Sequence, residues 1–162
     1  MFLAQYPTLL IPTTTRRWHK TSHSILGKES HSKLLYDWYM HPAKLHTFYP
    51  RVSPLCWRQC GNVEDVLHIW WLCPRITPFW RETLENLKSK LGYLIPEDLL
   101  FVLFGLTQLE MLYQTKGDKL LVWDCLGAVK TTLVASWGEK KPSRYHPMVC
   151  SALASYGYRK TL

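Results

Sequence analysis

Apolar residues recur along this chain at intervals of three to five and nowhere alternate with polar ones over a useful length, so the pattern predicts helices and few strands. In KLLYDWYM at 33–40, Leu34, Leu35, Trp38 and Tyr39 fall on one helical face. Pro42 can open a second short helix, with Leu45, Phe48 and Tyr49 turned inward, until Pro50 stops it. The strongest stripe runs from Thr77, as cap, and Pro78 through Phe79, Trp80, Thr83, Leu84, Leu87 and Leu91, and Gly92 closes it. Beyond Pro96, EDLLFVLFG and LTQLEMLYQT read as two shorter helices. A long one spans Lys119 to Trp137, with Val122, Cys125, Leu126, Val129, Leu133 and Trp137 inside and Gly127 marking a close helix contact. HPMVCSALASYGY reads as a last helix.

Between the second and third of these patterns, residues 51–62 are punctuated by Pro54, Gly61 and Asn62 and should form a loop. Glu64 and Asp65 suit the first turn of a following helix, whose apolar side is Val66, Leu67, Trp70 and Trp71. The expected fold class is mainly α: an irregular helical domain with a zinc-knuckle-like Cys-Cys-His-Cys (CCHC) loop–helix element.

A chain of 162 residues, 47% apolar and 20% charged, is long enough for one domain with a packed core. The formal charge is +8, unevenly spread. Residues 1–60 hold eight basic and two acidic side chains, 61–110 four and seven, and 111–162 eight and three. Two basic flanks around an acidic middle favour a polyanionic partner. The N-terminal stretch has no cationic region ahead of its apolar part, and the longest apolar run, LLFVLFGL, is far short of a membrane span. The sequence therefore predicts a soluble protein of the cytoplasm, the nucleus or both, with no membrane partner and reduced thiols.

Three of the five cysteines fall within the 18 residues CWRQCGNVEDVLHIWWLC, together with one histidine. Cys56, Cys60, His68 and Cys73 are four soft or borderline ligands, and their short spacings let a turn and a helix each present a pair, as structural zinc requires. Two other readings stand beside this one. Free cysteines are commonly buried, and His68 can be a core histidine beside Trp70 and Trp71. A Cys–His nucleophile pair is the third, although nothing singles out one cysteine or supplies an orienting carboxylate or amide.

A longer pattern decides among them. The run KLLYDWYMHPAKLHTFYP, then CWRQC, then HIWWLCPRITPFW resembles the C-terminal cysteine-rich, zinc-binding region of LINE-type non-LTR retrotransposon reverse-transcriptase polyproteins. The matching positions are Trp38, Tyr39, Pro42, Lys44, Leu45, Tyr49, Pro50, Cys56, Trp57, Arg58, Cys60, His68, Trp70, Trp71, Cys73, Pro74, Phe79 and Trp80. The likeness covers about residues 16–91, with a weaker echo in AVKTTLVASW at 128–137. Where family members often carry Gly-Thr this chain has Glu64-Asp65, and Gly138-Glu139 follows Trp137 in place of a basic residue. Both departures leave the four ligands intact.

The resemblance implies Zn2+ held by Cys56, Cys60, His68 and Cys73, in a module that binds template RNA or an RNA/DNA hybrid and does not itself catalyse. No adjacent aspartate pair of the kind that holds polymerase magnesium occurs in the chain. The implied organisation is an unassigned segment at 1–15, the zinc-binding region at 16–92, and a helical extension of the same domain at 93–162. Arg16, Arg17, Lys20, Lys44, Arg51, Arg58 and Arg75 are candidate phosphate contacts, and Trp18 and Trp57 candidate base-stacking rings. Trp38, Trp70, Trp71 and Trp80 are expected in the core. The competing expectation is a helical interaction scaffold, docked on the polymerase region or on another protein, without nucleic-acid binding.

Overall fold

The computed structural model describes residues 25–105 and 115–137. Its helices are α1 (Ile25–Leu35), α2 (Pro42–Phe48), α3 (Thr77–Leu91) and α4 (Lys116–Ala135), with single π-helical turns at His68–Leu72 and Leu100–Phe104. Among the described residues the β structure is one antiparallel bridge, Leu55 to Val63. The mainly helical class expected from the periodicity is the class observed. No helix among these residues is long and apolar enough to cross a membrane.

At the centre lies α4, which buries residues on every side, from Leu121, Val122 and Trp123 through Leu126, Val129 and Leu133. A helix apolar all round belongs inside a domain. α1 packs along it, and α3 and the second π turn close its other sides. Its start is fixed by a capping box: the Thr115 hydroxyl accepts the Asp118 N–H at 3.0 Å, and the Asp118 carboxylate accepts the Thr115 N–H at 3.1 Å. Lys119 is thus inside the helix, three residues beyond its first. Gly105, left-handed at φ 67°, ends the second π turn directly under Trp123, where a Cβ would lie 1.9 Å from the indole.

The third helical pattern forms as read, with Trp80, Thr83, Leu84, Leu87 and Leu91 buried and a left-handed Gly92 at its end. Its start is different. Thr77 lies inside the helix and its hydroxyl donates to the Cys73 carbonyl, so the cap position belongs to Ile76. The first pattern needs a larger correction, because α1 ends at Leu35 and the chain then reverses. Asp37 takes a left-handed φ of 51°, the Trp38 N–H reaches the Lys33 carbonyl at 2.8 Å, and the Asp37 N–H reaches Leu34 at 3.3 Å. Those are the two bonds of a Schellman ending.

The consequence is that Trp38, expected in the core, is 65% exposed, with the Tyr36 ring 5.5 Å away. Phe48 and Tyr49, expected inside, are exposed as well, because α2 has just seven residues and buries little but Pro42. The helix expected over LTQLEMLYQT lies, apart from Thr115, outside the described residues, and the one over HPMVCSALASYGY lies wholly outside them.

Candidate metal centre

The loop that carries Cys56 and Cys60 is a tight hairpin. The Cys56 N–H donates to the Asn62 carbonyl and the Glu64 N–H to the Pro54 carbonyl, both at 2.9 Å, on either side of the Leu55–Val63 bridge. Gln59 (φ 57°) and Gly61 (φ 88°) make the reversal between them. Alternation along these short arms sends Cys56, Arg58 and Glu64 inward and leaves Leu55, Trp57 and Val63 outside.

The second half of the centre begins at Asp65, whose carboxylate accepts the His68 N–H at 2.7 Å and so caps the helical turn. That turn is π-helical, closed by the Cys73 N–H on the His68 carbonyl at 2.9 Å. In an α-helix, five residues overshoot a full turn by about 140°, which would send His68 and Cys73 to different sides. The wider turn returns them toward one side, a use of π turns that recurs at functional sites. Its backbone is anchored by the Trp80 indole N–H on the Trp70 carbonyl at 2.8 Å. Trp70 also joins Tyr39 and Trp137 in an aromatic trio, with ring centroids 4.8 to 5.7 Å apart, which ties the turn to the end of α4.

These two halves bring Cys56, Cys60, His68 and Cys73 together with all four ligand atoms within 4.8 Å of one another. Two sulfurs about 2.3 Å from one tetrahedral ion stand about 3.8 Å apart, and a sulfur and an imidazole nitrogen about 3.6 Å apart. The Cys56 and Cys73 sulfurs are separated by 3.8 Å, and Cys60 Sγ lies 3.1 Å from His68 Nε2. These two pairs lie within about half an ångström of tetrahedral spacing, and the cluster as a whole is compact enough to surround one metal ion. Cys56, His68 and Cys73 are buried and Cys60 half-buried, and all three cysteines are free thiols.

The electrostatics agree with a cation-binding pocket. Burial pushes the Cys56 thiol up to about 12 and also raises Cys73, so a divalent ion would offset a large cost of ionising them. At Cys60 burial again acts upward but is outweighed by the Asn62 main chain and the neighbouring thiols of Cys56 and Cys73, and the thiol lies below its ordinary value. Burial lowers His68, keeping the imidazole neutral and able to coordinate.

Of the expected nucleic-acid residues, Arg16, Arg17, Trp18 and Lys20 lie outside the described residues. Arg51 and Arg75 are exposed, and Trp57 is 39% exposed on the outer face of the hairpin. Lys44 is half-buried, its ammonium on the Asp37 carbonyl and 3.5 Å from the Asp37 carboxylate. Arg58 is a correction: it is fully buried, with Nη1 3.4 Å from Glu64 Oε1 and 3.3 Å from the Ile69 carbonyl, and no phosphate can reach it. Glu64 is a second correction, since it faces inward as the partner of Arg58 and is no first-turn carboxylate. The pairing of Arg58 with Glu64 was not legible in the sequence, and neither was the burial of Lys130, whose amine donates to the Leu103 carbonyl at 2.5 Å. The spacing of five between His68 and Cys73, which does not fit an α-helix, was the one available signal that the turn is not α.

No family model matches this chain.

Proposed function

We propose that the cluster holds Zn2+ as a structural ion and that the module so stapled binds RNA, single-stranded or in an RNA/DNA hybrid, without catalysing a reaction itself. Four protein ligands fill a tetrahedral shell, which suits a structural site; a catalytic zinc keeps one position open. The reading of RNA as partner rests on the resemblance to the retrotransposon zinc-binding region and on one observation. The hairpin that supplies two ligands from its inner face presents Trp57 on its outer face, the face that also carries Leu55 and Val63, which are 48% and 54% exposed. An exposed indole on a stiff, apolar mount is a stacking platform for an unpaired base, worth about 1–3 kcal/mol. The formal charge of +8 supplies the attraction to phosphate.

Fluorescence anisotropy with a labelled oligoribonucleotide at 50 and 200 mM salt tests this. Affinity should fall tenfold or more across that range, and Trp57→Ala should weaken binding by about fivefold or more, the lower end of one stacked base. A flat salt response with no effect of Trp57→Ala sinks the RNA reading. It would leave the scaffold reading, which the exposed Tyr36–Trp38 pair favours as a site for protein docking.

A further inference from the structure

The four ligands come from two separate pieces of chain, the hairpin and the π turn, and Arg58, ion-paired to Glu64 within the hairpin, joins them through the Ile69 carbonyl. Glu64 is the hub. Its carboxylate accepts the Trp57 N–H at 2.8 Å, meets Arg58 Nη1 at 3.4 Å and receives the Cys56 thiol at 3.5 Å. Its main chain binds in the other direction: its carbonyl accepts the Ala43 N–H at 3.1 Å and faces His41 Nδ1 at 3.1 Å, which seats the hairpin on the start of α2. Arg58 completes the link, because the same Nη1 that meets Glu64 also donates to the carbonyl of Ile69, the residue next to His68. Both side chains are fully buried.

We propose that Glu64 and Arg58 are positioning residues for the metal centre, holding its two halves in register and balancing the charge of the thiolates. The proposal rests on the metal reading above. Charge gives the reason for a pair instead of a single residue. A divalent ion with three thiolates carries one net negative charge, and Glu64 adds a second within 3.5 Å of Cys56. The guanidinium of Arg58 cancels one of them in a place where water cannot. Its Nε and Nη2 have no hydrogen-bond partner among the described residues, so this buried cation is held by the Glu64 carboxylate, one carbonyl and the field of the cluster. Neutral replacement of Arg58 should therefore harm metal binding more than neutral replacement of Glu64, and Lys, which keeps the charge without the two-way reach, should fall between.

The test is zinc affinity, measured by competition with a chromophoric chelator on the full chain, and the Co2+ absorption spectrum, for wild type, Glu64→Gln, Arg58→Lys, Arg58→Met and the double variant Arg58→Met/Glu64→Leu. The expected result is a 10- to 100-fold loss of zinc affinity in Arg58→Met, smaller losses in Glu64→Gln and Arg58→Lys, and a Co2+ spectrum that keeps its tetrahedral thiolate form. The double variant, which leaves no unpaired buried charge, keeps the fold measurable by circular dichroism if a single variant loses it. Its zinc affinity should remain below wild type. Zinc affinity in the double variant equal to wild type would overturn the proposal. A wild-type chain that binds neither Zn2+ nor Co2+ would instead overturn the metal reading itself.

Discussion

Two parts of the buried core of this protein are built on different physics. Around α4, burial of Leu121, Val122, Leu126, Val129 and Leu133 against α1 and α3 is continuous and apolar, and each such side chain contributes about 1.5–3 kcal/mol on leaving water. Around the cluster, the fully or nearly fully buried set includes Cys56, Arg58, Glu64, His68 and Cys73, held by hydrogen bonds, an ion pair and cysteine sulfurs. A core of the first kind folds by exclusion of water. A core of the second kind contains groups that are costly to bury alone and needs each partner to be in place, the proposed metal among them.

The largest expected effect breaks the second region and spares the first. Removing zinc with a strong chelator, or replacing Cys73 with Ser, should cost several kcal/mol and release amide-exchange protection over residues 51–80 before α4 loses any. Simultaneous loss in both regions would mean that the two cores are one cooperative unit. Leu126→Ala is the converse, since it opens a cavity in the middle of α4: about 2–5 kcal/mol lower stability in urea, with zinc affinity unchanged.

Lys130 is a polar exception inside the apolar region, and burial lowers its amine well below the usual lysine value. The unfolded chain binds a proton there that the folded chain does not, so this residue's contribution rises with pH up to the ordinary value of 10.5, by at most about 1.4 kcal/mol per pH unit. Burial pushes Cys125 the other way, to about 12, and its contribution declines only above its ordinary value of 9.0. Urea midpoints of zinc-saturated wild type and Lys130→Met between pH 6 and 9 isolate the lysine. Wild type should gain on the variant as pH rises, and parallel curves would show that the amine stays charged in the fold. A smaller effect, about 1 kcal/mol, should follow Asp65→Ala through loss of the cap on the His68 turn, measured by thermal melting with zinc in excess. The smallest is Trp38→Ser, within about 0.5 kcal/mol, because the ring is 65% exposed among the described residues.

Legibility followed the same division. The stripes of α3 and α4 could be read because apolar burial leaves a period of 3.6 in the residues that do it: Trp80, Leu84, Leu87 and Leu91 in one, Val122, Leu126, Val129 and Leu133 in the other. The four clustered side chains could be picked out by residue type and spacing, while the choice of a metal site among three readings came from the resemblance. Trp38, Phe48 and Tyr49 were misplaced because a periodic pattern does not say where the chain turns. Asp37 in the left-handed region ended α1 three residues early for Trp38, and α2 proved too short to bury its far end. Arg58 and Glu64 were read as a phosphate contact and a helix-start acid because each charge, taken singly, belongs at the surface.

By itself, then, the order of residues determined the helical class, the principal core stripes and the identity of the four side chains able to grip an ion, since these depend on chemistry and on local periodicity. Only the tertiary structure decided that His68 and Cys73 meet across a π turn, that Trp57 points out where Arg58 points in, and that a guanidinium 3.4 Å from a carboxylate reaches from the hairpin to the Ile69 carbonyl. Those outcomes depend on which distant groups arrive together in a space without water, and no local pattern carries that information.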